Sequence, residues 1–138
     1  MSRDHISCIQ NKKKPNKEQL DEIFDSSIFK LLSEPIRIDI LKLLALKGEL
    51  DITQISGHFN QDRSVISRHL KLLFEGGLLI KTKQSRSTIY QVDGLAFLHK
   101  VEKVVSGVKE MLSFCCDEIY TDLYSQGLTY KDYIEKQK

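Results

Sequence analysis

Between Arg63 and Lys71 the chain reads R-S-V-I-S-R-H-L-K, a run that sets hydroxyl, guanidinium, imidazole and ammonium groups within two and a half helical turns. On a helix, Arg63, Ser64, Ser67, Arg68 and Lys71 fall to one side, while Val65, Ile66 and Leu70 fall to the other as an apolar anchor. Short polar and cationic side chains on the N-terminal half of a helix reach base edges in a DNA groove, and a helix N-terminus favours phosphate. His69 stays open between a contact to the DNA backbone and a packing or capping role. Further along, Lys81, Lys83 and Arg86 suit phosphate or minor-groove contact that carries little sequence preference. Catalysis is not expected: there are no paired acids, no glycine-rich phosphate loop, and no Ser or Cys nucleophile with a matching His.

A second chemistry resides in Cys8, Cys115 and Cys116. An odd cysteine count without an export signal points to free thiols, ligands or a redox pair rather than a disulfide framework. Neighbours on a helix point about 100° apart, so Cys115 and Cys116 do not share a face. Three soft thiolates suit arsenite, antimonite or a soft metal such as cadmium or copper(I), if the arm that carries Cys8 folds back. Alternatively, Cys8 and one terminal cysteine form a reversible disulfide or polysulfide. The third alternative is structural, with Cys115 a small buried hydrophobe.

The elements that must position these groups follow from periodicity. At 138 residues the chain has room for one domain with one core. No apolar run is long enough to cross a bilayer and no secretory signal opens the chain, so a cytoplasmic location is expected. The net charge of +2 decides nothing, but its distribution is uneven. From Gln61 to Tyr90 the bases Arg63, Arg68, Lys71, Lys81, Lys83 and Arg86 face only Asp62 and Glu75, whereas acids outnumber bases from Asp117 onward. Phosphate contact requires such a local excess.

Residues 1–17 lack apolar periodicity and read as a flexible basic arm. Leu20, Ile23, Phe24, Ile28, Leu31 and Leu32 predict a first helix, and Ser33 with Pro35 predicts the start of a second, which Gly48 ends. Asp51 and Gln54 form a capping pattern for a short third helix. Asp62 caps a fourth, whose Val65, Ile66, Leu70, Leu73 and Phe74 turn inward until Gly76 and Gly77 stop it. Two β-type runs, 78–83 and 88–92, make a hairpin with a cationic tip at 84–87. From Leu95 to about Tyr120, Leu98, Val101, Val105, Val108, Leu112, Cys115 and Ile119 sustain a heptad stripe. The partner expected for that stripe is the same helix of a second copy, together with the first helix. Residues 121–138 read as a tail, with Tyr130, Tyr133 and Ile134 spaced for a short helix.

The order helix, helix, short helix, turn, helix, hairpin is mainly α with a β-hairpin wing: a winged helix-turn-helix domain over 18–120, dimerised through its first and its long terminal helices. Leu32, Ser33, Glu34, Pro35, Ile36, Arg37, Ile40, Leu41 and Leu44, then Ser64, Ser67, Arg68, His69, Leu70, Leu73, Gly77, Leu78 and Tyr90, resemble the ArsR/SmtB family of metal- and stress-responsive repressors over roughly residues 20 to 115. The resemblance implies a homodimer on double-stranded DNA with an inverted-repeat operator, released by an inducer. Two ligand patterns of that family are incomplete here. Where many members read E-L-C-x-C, this chain has Glu49, Leu50, Asp51, Ile52 and Thr53, and both thiols are missing. His99 and Glu102 match only half of the paired zinc pattern on the terminal helices. Some members carry a vicinal cysteine pair in the terminal helix, as Cys115 and Cys116 do here. The other class of function for this fold is a protein-interaction module, but that would expose apolar residues where Arg63, Arg68 and Lys71 stand.

Overall fold

The structure, a computed structural model, describes residues 14–24, 27–115, 126–136 and 138, without the side chains of 112–115, 130 and 133. In chain order its elements are α1 (Lys17–Phe24), α2 (Ser27–Leu31), α3 (Pro35–Lys47), β1 (Leu50–Asp51), α4 (Ile52–Ser56), α5 (Arg63–Glu75), β2 (Leu79–Gln84), β3 (Ser87–Val92), α6 (Gly94–Cys115) and α7 (Tyr130–Lys136). The chain divides into two compact units, one of residues 25–102 and one of residues 1–24 with 103–138.

The 25–102 unit is built on Ile40 and Leu44 of α3, Ile55 of α4, Ile66, Leu70 and Leu73 of α5, and Leu78, all at most 1% exposed. Leu31 and Leu79 complete this cluster. Full burial of each such side chain contributes about 1.5–3 kcal/mol, so the cluster fixes where α5 lies. Local sequence sets the ends of the helices. Gly48, at φ +87°, takes a backbone conformation that a side chain would strain, and its N–H closes α3 on the Leu44 carbonyl at 2.8 Å. At the start of α4, Asp51 Oδ1 accepts from the Gln54 N–H at 2.8 Å while Gln54 Oε1 accepts from the Asp51 N–H at 2.9 Å, a complete capping box.

The end of α5 is a Schellman turn: Gly77 at φ +78° donates to the Phe74 carbonyl and Leu78 to the Leu73 carbonyl, both at 2.9 Å. It buries Leu78 against the core and starts the hairpin. Asp93 closes the hairpin by donating its N–H to the Leu78 carbonyl, and its Oδ1 accepts from the Ala96 N–H at 3.0 Å, capping α6.

Several expectations are corrected. The two-stranded hairpin is a three-stranded antiparallel sheet in the order β1-β3-β2, with Leu50 paired to Tyr90 and Leu79 to Val92. The connection at its tip is Ser85 and Arg86 rather than four residues. The first helix is carried by two segments, α1 and α2. Ser33 does not cap α3: Glu34 holds that position, with Pro35 in the first turn, and the Ser33 hydroxyl donates backwards to the Lys30 carbonyl at 2.7 Å. Asp62 is the N-cap of α5 by backbone geometry, but its side chain makes no capping bond. Phe74 does not turn inward; it is 37% exposed.

In the other unit, Asn16 and Gln19 cap α1 reciprocally, each accepting from the other's N–H at 2.9 Å. Ile23 of α1 is buried at 5% exposure against Gly107 of α6, where an added Cβ would come within 2.7 Å of Ile23 Cγ1. Gly107 thus has a packing reason in mid-helix. In Gly107→Ala the gain of about 1 kcal/mol in helix preference is outweighed by overpacking of about 1–3 kcal/mol against a β-branched neighbour that is stiff at χ1. A lower urea midpoint is expected, and a midpoint at or above wild type would show that Ile23 gives way freely. The tail carries the expected helix as α7, capped by Thr129 and Asp132 through mutual hydrogen bonds of 2.7–3.3 Å. Those bonds, the one from the Thr129 backbone foremost, hold the Asp132 carboxyl below its usual range.

Candidate nucleic-acid interface

Helix α5 divides into two arcs. At about 100° per residue, Ile66, Leu70 and Leu73 fall together and are fully buried, whereas Ser64, Ser67, Arg68 and Lys71 fall across the helix and are exposed; Arg63 falls nearer the buried side but is exposed as the first residue of the helix. The anchored face therefore holds the polar face out from the core along the helix, as the sequence predicted. Lys71 Nζ lies 3.9 Å from the Glu75 carboxylate, but both side chains are more than half exposed. Such a pair contributes little, and Lys71 can exchange it for another anion.

Strand β2 carries Lys81 and Lys83, and Arg86 sits at the hairpin tip; all three are exposed. Lys81 Nζ lies 4.3 Å from the centroid of the Phe74 ring. This cation–π contact links strand and helix at the C-terminal end of α5. The apolar pattern of α5 misplaced Phe74, although its helical angle already puts it on the polar arc, beside Ser67.

His69 stands at the inward edge of α5, half-buried, with Nδ1 3.3 Å from Arg37 Nη1. Of the two roles open to it, the packing one is what the geometry displays. Burial, and then the Arg37 charge, push its pKa below 6.5. The folded protein thus binds this proton more weakly than the unfolded chain does. Stability is full above about pH 6.5 and is lost as the pH falls below that value toward the lowered pKa. A urea midpoint that drops on acidification through this window, with a smaller drop in His69→Asn, is expected; equal drops would remove His69 as the cause.

Arg37 is the residue that sequence reasoning missed as a working part. It is 8% exposed, donating from Nε to the Leu31 carbonyl at 2.6 Å and from Nη2 to the Lys30 carbonyl at 2.9 Å. The signal was a guanidinium set between Ile36 and Ile38 on a helix that must bury its apolar face.

On α6, Leu98 is 51% and Val105 43% exposed, while Val101 and Val108 are half-buried. The Leu112 side chain lies outside the described residues, as do Cys8, Cys116 and the side chain of Cys115. Among the described residues no group of three or more His, Cys, Asp or Glu is placed to hold a metal ion, so His99 and Glu102 gain no further ligand there. Among them also, no helix is long and apolar enough to cross a membrane.

Residues 34–81 match the sequence model of the family described as "Bacterial regulatory protein, arsR family". The arsenical resistance operon repressor of Escherichia coli (strain K12) is 38% identical over 65 residues, 47% of this chain and 56% of that protein. An uncharacterized HTH-type transcriptional regulator of Methanocaldococcus jannaschii is 31% identical over 67 residues, 49% of this chain and 75% of that protein. Among solved structures, the homodimeric winged helix-turn-helix DNA-binding domain of a possible ArsR-family regulator from Mycobacterium bovis superposes with a TM-score of 0.50 at 26% identity, over 68% of this chain and 88% of that one. The match spans less than two thirds of the arsenical repressors it aligns with, 56% and 64% of their lengths.

Proposed function

We propose that this chain, which belongs to the arsR family of bacterial regulatory proteins, is a homodimeric transcriptional repressor that reads double-stranded DNA with α5. The observation that carries the reading is the exposed group of Arg63, Ser64, Ser67, Arg68 and Lys71 on a helix anchored by three fully buried side chains. Ser64, Ser67 and Arg68 contact base edges in a major groove; Arg63 and Lys71 flank them toward phosphates. Lys81, Lys83 and Arg86 of the wing hold the adjacent backbone or minor groove. His69 serves from behind rather than as a base contact.

The apolar stripe of α6 supports pairing with a second copy. Leu98 and Val105 lie seven residues apart on one face, half-exposed, with Val101, Val108 and Leu112 continuing the repeat. A two-fold dimer would present two copies of α5 to half-sites about 34 Å apart in an inverted repeat.

The inducer is a thiol-seeking species, trivalent arsenic foremost, acting on Cys8, Cys115 and Cys116. Two features support it: the arsenical repressors among the relatives, and the three thiols that remain when the E-L-C-x-C pattern is missing at Glu49–Thr53. A ligated state that disfavours the DNA-competent geometry by about 1.4 kcal/mol releases DNA tenfold.

The test uses duplexes recovered by the reduced protein from a random-sequence library, with binding read by fluorescence anisotropy. Saturable binding to an inverted repeat, reversed by arsenite in wild type and not in Cys8→Ser, Cys115→Ser or Cys116→Ser, is the expected result. Release that survives in all three variants would sink the thiol assignment, and a library that yields no enriched sequence would sink the repressor reading.

A further inference from the structure

Arg37 is the one buried charged side chain among the described residues, and its three partners define its orientation. Nε and Nη2 donate to the carbonyls of Leu31 and Lys30, which close the C-terminal end of α2, where helix carbonyls have no partner within the helix and attract cations; the Lys30 carbonyl also accepts from the Ser33 hydroxyl. Two such bonds fix the guanidinium plane. The remaining nitrogen, Nη1, is thereby aimed at His69 Nδ1 of α5, 3.3 Å away.

Guanidinium groups only donate, so Nδ1 must supply the accepting lone pair and the ring proton must sit on Nε2. An imidazolium has no such lone pair, and protonation would set two cations against each other. We infer that Arg37 and His69 form a strut between α2 and α5 that sets the roll of α5 about its own axis, making both of them positioning residues for DNA discrimination, and that the strut opens when His69 takes up a proton. The inference rests on the reading of α5 as the DNA-contacting helix. Ser67 and Arg68 immediately precede His69, so any roll at His69 displaces them directly. The surroundings of the imidazole agree with this direction: burial opposes its protonation most, then Arg37 from α3, with a smaller contribution from Arg68 of α5, while Glu34 at the start of α3 favours it.

The variants separate the strut from plain packing. Asn places an amide oxygen near the position of Nδ1 and does not titrate; Leu fills similar space and accepts nothing. The first measurement needs no DNA: the ring nitrogen chemical shifts of His69 should report an unprotonated Nδ1 at neutral pH in wild type, and the pH at which that nitrogen takes up its proton should rise in Arg37→Gln. The second is the affinity ratio between the library-selected duplex and random DNA. His69→Leu is expected to lower that ratio about tenfold at pH ~7.5, and His69→Asn to retain it. As the pH is lowered further below 6.5 the wild-type ratio should fall toward the Leu value while that of His69→Asn holds, because only the wild-type side chain can take up a proton at this position.

A protonated Nδ1 at neutral pH overturns the strut whatever the DNA result. An intact tautomer with equal ratios in wild type and His69→Leu overturns the positioning role. Should the tautomer be intact but wild type prefer no sequence, the repressor reading fails, and the positioning role with it.

Discussion

Arg68→Ala is expected to lower affinity for the selected duplex by about 30-fold or more, from the 1–3 kcal/mol that a paired guanidinium contact to a base contributes in each of the two half-sites. Its loss should also relax the preference at one base pair of each half-site, because the side chain is exposed on the outward arc of α5 and its removal disturbs no core contact. Lys83→Ala is the control. Its ammonium stands on β2, exposed and suited to phosphate, so its loss from both subunits should weaken selected and random DNA alike and reduce the dependence of log K on log salt by about two. Measuring both variants at several salt concentrations distinguishes base reading from charge attraction. If Arg68→Ala reduced selected and random binding by the same factor, α5 would not be reading sequence through that residue.

The largest effect on stability is expected from Leu70→Ala. Leu70 is fully buried between Ile66 and Leu73 in the cluster that anchors α5. Truncation leaves a cavity costing about 2–5 kcal/mol, a large share of the roughly 5–15 kcal/mol that holds a domain of this kind together. Leu72, two residues on and 41% exposed, provides the comparison. Leu72→Ala should move the urea midpoint little, by an amount within about 0.5 kcal/mol. Equal midpoints for the two variants would mean that the buried arc does not anchor the helix. Because the same cluster sets the position of the polar arc, DNA binding in Leu70→Ala should fail at temperatures where Leu72→Ala still binds.

What could be read from the sequence was local. The arcs of α5 follow from spacing alone, since residues three and four apart share a face. The Asp51–Gln54 capping box and the stop at Gly77 likewise depend on side chains a few positions from the backbone they serve. What could not be read was pairing across distance. Strand β1 has two residues and no periodicity; it exists because Leu50 and Asp51 find Tyr90 and Ile89 some forty residues away. Arg37 and His69 stand 32 positions apart, and neither residue type announces the other. Ser33 failed as a cap for a different reason. Pro35 supplied the first turn with a preset φ, and the hydroxyl found a carbonyl behind it instead. Phe74 is apolar by type, but its helical angle sets it outside the buried arc of Ile66, Leu70 and Leu73.

The separation of α5 into two arcs also bears on how such a protein can diverge. Ile66, Leu70 and Leu73 support the fold, and substitutions at Arg63, Ser64, Ser67, Arg68 and Lys71 leave them untouched. If α5 reads DNA as proposed, target sequence and folding stability are nearly independent traits on this helix. A duplicated gene could drift toward a new operator through those five codons without first acquiring compensating core changes. The exception is the C-terminal end, where Phe74 carries Lys81: exchange there would alter helix and wing together, so that position should change more slowly than the rest of the face.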